Sequence, residues 1–409
     1  MTHACRACGQ PLSRTFVDLG MSPLANSFVP LARINEPEKF YPLHALVCDN
    51  CYLVQLGEFE PPKDIFSADY AYYSSFSSSW LTHAERYARD MAARWGLDAA
   101  SLVCEVGSND GYLLRHFVSE GIPVIGIDPA AHCADAARKV GVPTEVCFFG
   151  ARTASDIVAK YRRADLMVAN NVLAHVPDLR GFVAGFRIML KPEGVLTFEF
   201  PHLRHLIALG QFDTIYHEHF SYLALGPVQR VLAAEALRVF DVEELTTHGG
   251  SLRIYVCHSG ASHAERPSVT RMLDEERAAG LSDPKTYGDF TPRVVAIKEA
   301  VFEFLTSARR QGRRVAGYGA PAKGNTFLNY CGIGPSHLPF TVDRNPVKQN
   351  TLLPGTRIPV HPVEMIEQTR PDYLIILPWN LRDEVVEQMG IVRGWGGKFV
   401  TAIPSLTVF

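Results

Sequence analysis

From about residue 80 onward, continuous apolar runs alternate with glycine turns and amphipathic stretches. That rhythm predicts two α/β units in series. Ser101-Leu-Val-Cys-Glu-Val106 lacks polar alternation, as expected of a parallel strand buried on both faces. Gly107 to Gly111 supplies a turn, and Tyr112 to Ser119 starts a helix. Pro123-Val-Ile-Gly-Ile-Asp128, Ala164 to Asn170 and Gly194 to Pro201 read as further strands. Leu237 to Glu243 and Ser251 to Cys257 look like a closing antiparallel pair, and a helix from about Trp80 to Trp95 precedes the series. The second series opens with a long amphipathic helix, Pro292 to Arg310. Arg313 to Gly319 is then a strand and glycine turn, and a helix starts at Ala322. Phe340 to Asp343, Tyr373 to Leu377 and Lys398 to Ala402 are further strand candidates. Strands alternating with helices imply doubly wound, Rossmann-like sheets.

The first 75 residues follow neither period. Pro23, Pro30, Pro37 and Pro42 break the segment into short strands and turns. It carries Cys5-Arg-Ala-Cys8 and Cys48-Asp-Asn-Cys51. Zinc takes four thiolates in a tetrahedron, and each CxxC turn delivers two. A closed four-sulfur site leaves no open position, so a structural Zn2+ held by Cys5, Cys8, Cys48 and Cys51 is expected. The 39 residues between the turns exceed the compact spacing of many zinc sites, so they must fold as a unit. Neither pair opens a helix after a strand, which argues against a redox motif. His3 and His44 read as surface residues. The stretch Asp69 to Trp80 reads either as a linker or as a lid lending a phenol to a site.

Composition narrows the partners. A net charge of −3 over 409 residues argues against nucleic acid. Runs such as Val195 to Phe200 are too short to span a bilayer, and no basic-then-apolar leader opens the chain. The other five cysteines are scattered singly, which suggests a reducing cytoplasm and a cytoplasmic enzyme.

The loop Glu105-Val-Gly107-Ser108-Asn109-Asp110-Gly111 follows a strand, and Asp128-Pro129 ends the next strand about 20 residues later. Glycines let a backbone approach a nucleoside, and the acid accepts from ribose hydroxyls. The pattern is E-x-G-x-x-x-G rather than G-x-G-x-x-G. Its acids, Glu105 and Asp110, suit a cationic sulfonium and would repel a pyrophosphate. S-adenosyl-L-methionine is therefore the expected cofactor. Asn170, Asn171 and His175, and Glu199 on the next strand, fall at the carboxyl ends of strands, where ligands sit. Tyr216-His217-Glu218-His219 is the densest acid–base cluster in the chain. It lacks the H-E-x-x-H spacing of a zinc protease, and a histidine can take a proton from carbon beside a carbonyl. In the last unit, the turn after Tyr318 opens a helix carrying Lys323 and Asn325. A helix amino terminus plus lysine suits a diphosphate, and Lys348 is a further phosphate candidate. Asp343 keeps NAD open as a weak alternative, and packing alone is the other.

Taken in order, CxxC…CxxC, Tyr-Ser-Ser-Phe-Ser-x-Ser-Trp, E-V-G-S-N-D-G, Tyr-His-Glu-His, His248-Gly-Gly-Ser251-Leu-Arg253 and Gly317-Tyr-Gly-Ala-Pro-Ala-Lys-Gly-Asn-Thr326 cover essentially the whole chain. The sequence resembles the sugar C-methyltransferases, which methylate carbon 3 of nucleotide-linked 4-keto-deoxysugars. The resemblance implies that His219 is the base and that Tyr216, Glu218 and His175 share the site. It matches a family tyrosine best to Tyr70, with Tyr72 and Tyr73 as neighbours. Glu218 is expected to orient the base, and Tyr216, Tyr70 or His175 to donate to an enolate oxygen. Ser251 and Arg253 join Glu199, Tyr318, Lys323, Asn325 and Lys348 as expected contacts of the nucleotide-sugar. The expected organisation is a zinc-binding module with its lid segment over residues 1–75, a methyltransferase domain over 76–288 and a second Rossmann-like domain over 289–409, forming a monomer or small homo-oligomer without membrane partners. The rivals are an O- or N-methyltransferase on the same fold and a zinc-ribbon RNA-binding protein.

Overall fold

The computed structural model describes residues 4–61, 73–76 and 78–409. Among the described residues, three sheets carry the architecture. The amino-terminal segment contributes β1 (Arg14–Ser22), β2 (Val29–Pro30), β3 (Tyr41–Val47) and β4 (Val54–Leu56). The central sheet contains β5 (Val103–Val106), β6 (Val124–Ile127), β7 (Thr144–Glu145), β8 (Ala164–Asn170), β9 (Leu190–Pro201), β11 (Leu237–Leu245) and β12 (Ser251–His258). The short β10 (Ser221–Tyr222) lies between β9 and β11 in sequence. The carboxyl-terminal strands are β13 (Val315–Tyr318), β14 (Thr341–Val342), β15 (Thr351–Leu352), β16 (Pro359–His361), β17 (Tyr373–Ile376), β18 (Lys398–Thr401) and β19 (Thr407–Val408).

The central order is β11-β12-β9-β8-β5-β6-β7. β5 through β9 pair in parallel, and β12 and β11 close the sheet antiparallel, as the sequence predicts. The chain leaves β5 for β6 on one side and returns to β8 on the other. That reversal opens a crevice beyond the carboxyl ends of β5 and β8. In the last sheet, β13 lies in parallel between β14 and β17, and the helix Ala322–Cys331 follows it. The long amphipathic helix runs Phe290–Arg310, two residues earlier than its sequence pattern suggests.

Two pairings cross the expected domain limits. β10 adds to β4 of the amino-terminal sheet, and β2 adds to β15 of the carboxyl-terminal one. The cores fuse likewise. Cys5, Cys48, Cys51 and Leu53 pack with Leu223, Leu225 and Val228 of the central unit. Phe16, Leu43 and Val54 pack with Phe212, Ile215, Phe290 and Leu328. Burial of apolar surface thus ties all three units to the segment 212–225.

Candidate functional site

The four expected metal ligands converge. Their sulfurs lie within 4.8 Å of one another, with Cys5 and Cys51 3.5 Å apart and Cys8 and Cys48 3.6 Å apart. Zn–S bonds of about 2.3 Å span tetrahedron edges of roughly 3.8 Å, so the cluster fits the ion without rearrangement. Gln55 Nε2 donates to Cys5 Sγ at 3.2 Å and the Asn50 amide to Cys48 Sγ at 3.4 Å. Such bonds orient thiolates and offset their charge.

A cavity of about 1020 Å³ occupies the crevice. It extends from Gly107, Asp128 and Asn170 past His175 and His219 to Lys323 and Lys348. It is large enough for two ligands side by side.

The half over β5, β6 and β8 fits S-adenosylmethionine. Gly107 has φ 71°, and a Cβ there would meet Val172 Cγ2 at 2.4 Å, so only glycine keeps the loop low. Asn109 also takes a positive φ of 48°. Asp128 accepts from the Asn109 amide at 2.8 Å and the Ala130 amide at 2.8 Å, and lines the cavity with Pro129. Burial raises its carboxyl above the usual range, and the two amide bonds oppose that. The Asn170 side chain is buried, lines the cavity and finds no partner for either polar atom among the described residues. An unmet buried amide costs about 1–3 kcal/mol, which a bound ligand relieves.

Four loop residues expected to meet the cofactor lie off the cavity wall. Glu105 is fully buried behind the loop, off the cavity wall, and burial pushes its carboxyl far up toward the neutral form. Asp110 accepts from the Ser75 amide at 3.2 Å and is likewise off the wall. Ser108 packs against β6, and Gly111 admits Val140, Val142 and Ala137 at 3.1–3.3 Å of a would-be Cβ.

The other half holds the acid–base cluster. His219 Nδ1 donates to the Thr214 carbonyl at 2.8 Å, which fixes the tautomer. Its Nε2 therefore accepts from the Tyr216 hydroxyl at 2.8 Å. Burial first, then His175, holds the imidazole well below its usual value, so it is a neutral acceptor at pH 7. Glu218, expected to orient the base, instead accepts from Asn26 Nδ2 at 2.7 Å, and a main-chain carbonyl takes the orienting role. His175 donates from Nδ1 to the Glu218 carbonyl at 2.8 Å, and burial lowers it to about 4. Its Nε2 is then an acceptor in the neutral ring, not the donor the sequence reading expects. Tyr70 and Tyr72 lie outside the described residues. Tyr73 packs edge-on to His132.

Lys323 and Lys348 both line the cavity, at Asn380 Oδ1 (2.8 Å) and the Ala320 carbonyl (2.9 Å) respectively. The other residues expected at the substrate find partners within the protein. Glu199 is fully buried and accepts from Arg253 at 2.9 Å and Thr247 at 2.8 Å, with His83 Nε2 at 3.0 Å. Despite burial, those partners hold it at about 2. Ser251 Oγ donates to the Thr247 carbonyl, Tyr318 to Gln388 and Asn325 to the Ala25 carbonyl. None of these five lines the cavity.

Sequence reasoning missed Asn26, His248, Trp80 and the Thr214 carbonyl. His248 had a signal, since it opens the quoted His-Gly-Gly stretch. It sits at φ 53° facing Asn171 at φ 57°, and the Asn171 amide donates to its Nε2 at 3.2 Å. Trp80 packs on its ring, 5.2 Å between centroids.

Three family models match in order along the chain. They are a zinc binding domain over residues 5–66, a methyltransferase domain over 80–235 and a C-methyltransferase C-terminal domain over 246–404. The chain is 35% identical over 401 residues to the C-methyltransferase NovU of Streptomyces niveus, covering 98% of this chain and 95% of that one. It is 26% identical to a ubiquinone biosynthesis O-methyltransferase of Rhodopseudomonas palustris over 34% of this chain and 62% of that one. Among solved structures, the Burkholderia thailandensis 1,6-didemethyltoxoflavin-N1-methyltransferase aligns with TM-score 0.36 and 17% identity over 51% of this chain and 95% of that one. No helix among the described residues is long and apolar enough to cross a membrane. A relative matched along nearly its whole length, and domain models that match in the same order as the cysteine cluster and the crevice, make this chain a member of the C-methyltransferase family, an S-adenosylmethionine-dependent enzyme with a structural zinc site.

Proposed function

We propose that the enzyme methylates carbon 3 of a nucleotide-linked 4-keto-deoxysugar through an enolate formed by His219. One observation carries this reading: a neutral imidazole of fixed tautomer faces the cavity into which the cofactor loop opens. A ketone at C4 acidifies the C3 hydrogen. His219 Nε2 takes that proton, and the C–H electron pair moves through C3–C4 onto the ketone oxygen. Tyr216, whose hydroxyl meets Nε2 in the resting site, turns its donor to the developing oxyanion. Bound S-adenosylmethionine supplies the methyl group, its S–CH3 bond breaking as the C3–CH3 bond forms. Lys323 and Lys348 flank the start of the helix Ala322–Cys331, and this pair of half-buried cations on the cavity wall suits the diphosphate.

The test is a panel of nucleotide-linked sugars, with melting temperature read in the presence of S-adenosylhomocysteine and products identified by NMR. A 4-keto sugar should stabilise the protein and emerge with a methyl on C3. A product methylated on oxygen or nitrogen would overturn the reading.

A further inference from the structure

We infer that Asn26, on the metal-binding segment, is a positioning residue of the reaction, holding the Glu218 carboxylate on the wall of the substrate cavity. The inference rests on the site reading above. Asn26 lies in the turn between β1 and β2, and its Nδ2 donates to Glu218 Oε1 at 2.7 Å across 192 residues of sequence. Both residues line the cavity, and Glu218 is only 4% exposed.

The turn is held from several sides. The Ser27 amide donates to the Leu24 carbonyl at 3.1 Å, and the Phe28 amide to the Asn26 carbonyl at 3.0 Å. The Ala25 carbonyl accepts from the buried Asn325 Nδ2 at 2.6 Å, and β2 pairs with β15. The Asn26 side chain is thus presented on a frame tied to the carboxyl-terminal unit of the molecule. A donor so fixed loses little freedom in meeting its partner.

Glu218 is a junction. It precedes the base, its carbonyl accepts from His175, and its carboxylate meets Asn26. Among the described residues, Lys348 of the carboxyl-terminal unit acts on its charge, His175 meets its main-chain carbonyl, and the adjacent His219 ring packs on His175. An amide at position 26 gives the carboxylate a neutral donor. A second acid there would have to share one proton with it. The metal-binding segment thereby completes the substrate cavity as well as stabilising the fold.

The experiment uses the full-length zinc-loaded enzyme with Asn26→Ala, Asn26→Asp and His219→Asn in parallel. Asn26→Ala should lower kcat/KM by about tenfold or more, mainly in kcat, the scale of losing a hydrogen bond to a charged group. Affinity for S-adenosylmethionine and zinc content should be unchanged. Asn26→Asp keeps the side-chain size and should move the acid limb of kcat/KM upward by about one pH unit or more. Wild-type kcat in the alanine variant, or an unshifted profile in the aspartate variant, overturns the inference while His219→Asn remains impaired. If the alanine variant loses stability or zinc, the aspartate profile decides. If His219→Asn is also unimpaired, the reading of the site itself has failed.

Discussion

Replacing His219 by asparagine isolates the proton transfer. The shorter amide can still donate to the Thr214 carbonyl from the Nδ1 position, so packing is largely kept while the basic nitrogen that meets Tyr216 is lost. A general base contributes about 10²–10⁴-fold, or about 2.7–5.4 kcal/mol. The geometry says where that loss must fall. Asp128, Asn109 and Asn170 sit over β5, β6 and β8, so cofactor affinity should be retained. His217 is the control, since its Nε2 donates to the Pro42 carbonyl at 3.2 Å and its ring packs on Tyr41 and Phe59, off the cavity wall. Two readouts are needed: methylated product, and wash-in of deuterium at C3 with S-adenosylhomocysteine bound. His219→Asn should lose both, and His217→Asn should keep both while folded. Because burial and His175 hold the His219 imidazole well below its usual value, wild-type kcat/KM should show no break near pH 6.5. Retained exchange in His219→Asn would refute the assignment and point to His175, whose ring lies 4.6 Å away.

Asp128→Ala should weaken S-adenosylmethionine binding by about 1.5–3 kcal/mol in titration calorimetry, the range for losing a charged partner. Unchanged affinity would remove it from the site. Lys323→Met should raise KM for the sugar nucleotide and leave cofactor affinity alone, and equal weakening of both ligands would contradict the diphosphate role. His248 is lowered to about 4, chiefly by burial, so between pH 4 and 6.5 the unfolded chain binds the proton that the folded chain refuses. Its contribution to stability is full above about pH 6.5 and lost as pH falls toward 4. His248→Asn, which tolerates the positive φ, should make that fall shallower by up to about 1.4 kcal/mol per pH unit in chemical denaturation, and identical slopes would refute it.

What was legible in the sequence was local. Gly107 and Asp128 belong to one strand–helix–strand unit, so their spacing alone placed them together. The four cysteines announced themselves by ligand type. Glu199 reads in the sequence as a polar side chain at a strand end, and Arg253 as part of a motif, with nothing to link them. Only the register of β9 against β12, which sets Arg253 opposite Glu199, reveals that they neutralise each other. Thr214 was invisible for a different reason, since a main-chain carbonyl orients the His219 ring whatever side chain it bears.

The long spacing between the two CxxC turns, awkward for a compact zinc site, has a reason in the fold. A knuckle needs few residues to bring two thiolate pairs together. The 39 residues inserted here hold β1, the Asn26 turn, β2 and β3. β2 serves as the outer strand of the last sheet, and Asn26 serves as part of the cavity wall. The ends of this insertion are pinned by the sulfur cluster, and its middle is stretched across the other two units. Closing such a loop costs only slowly more as it lengthens, about 0.6 kcal/mol per doubling. A metal clip at its base therefore lets a segment without a large core of its own reach the cavity while staying anchored.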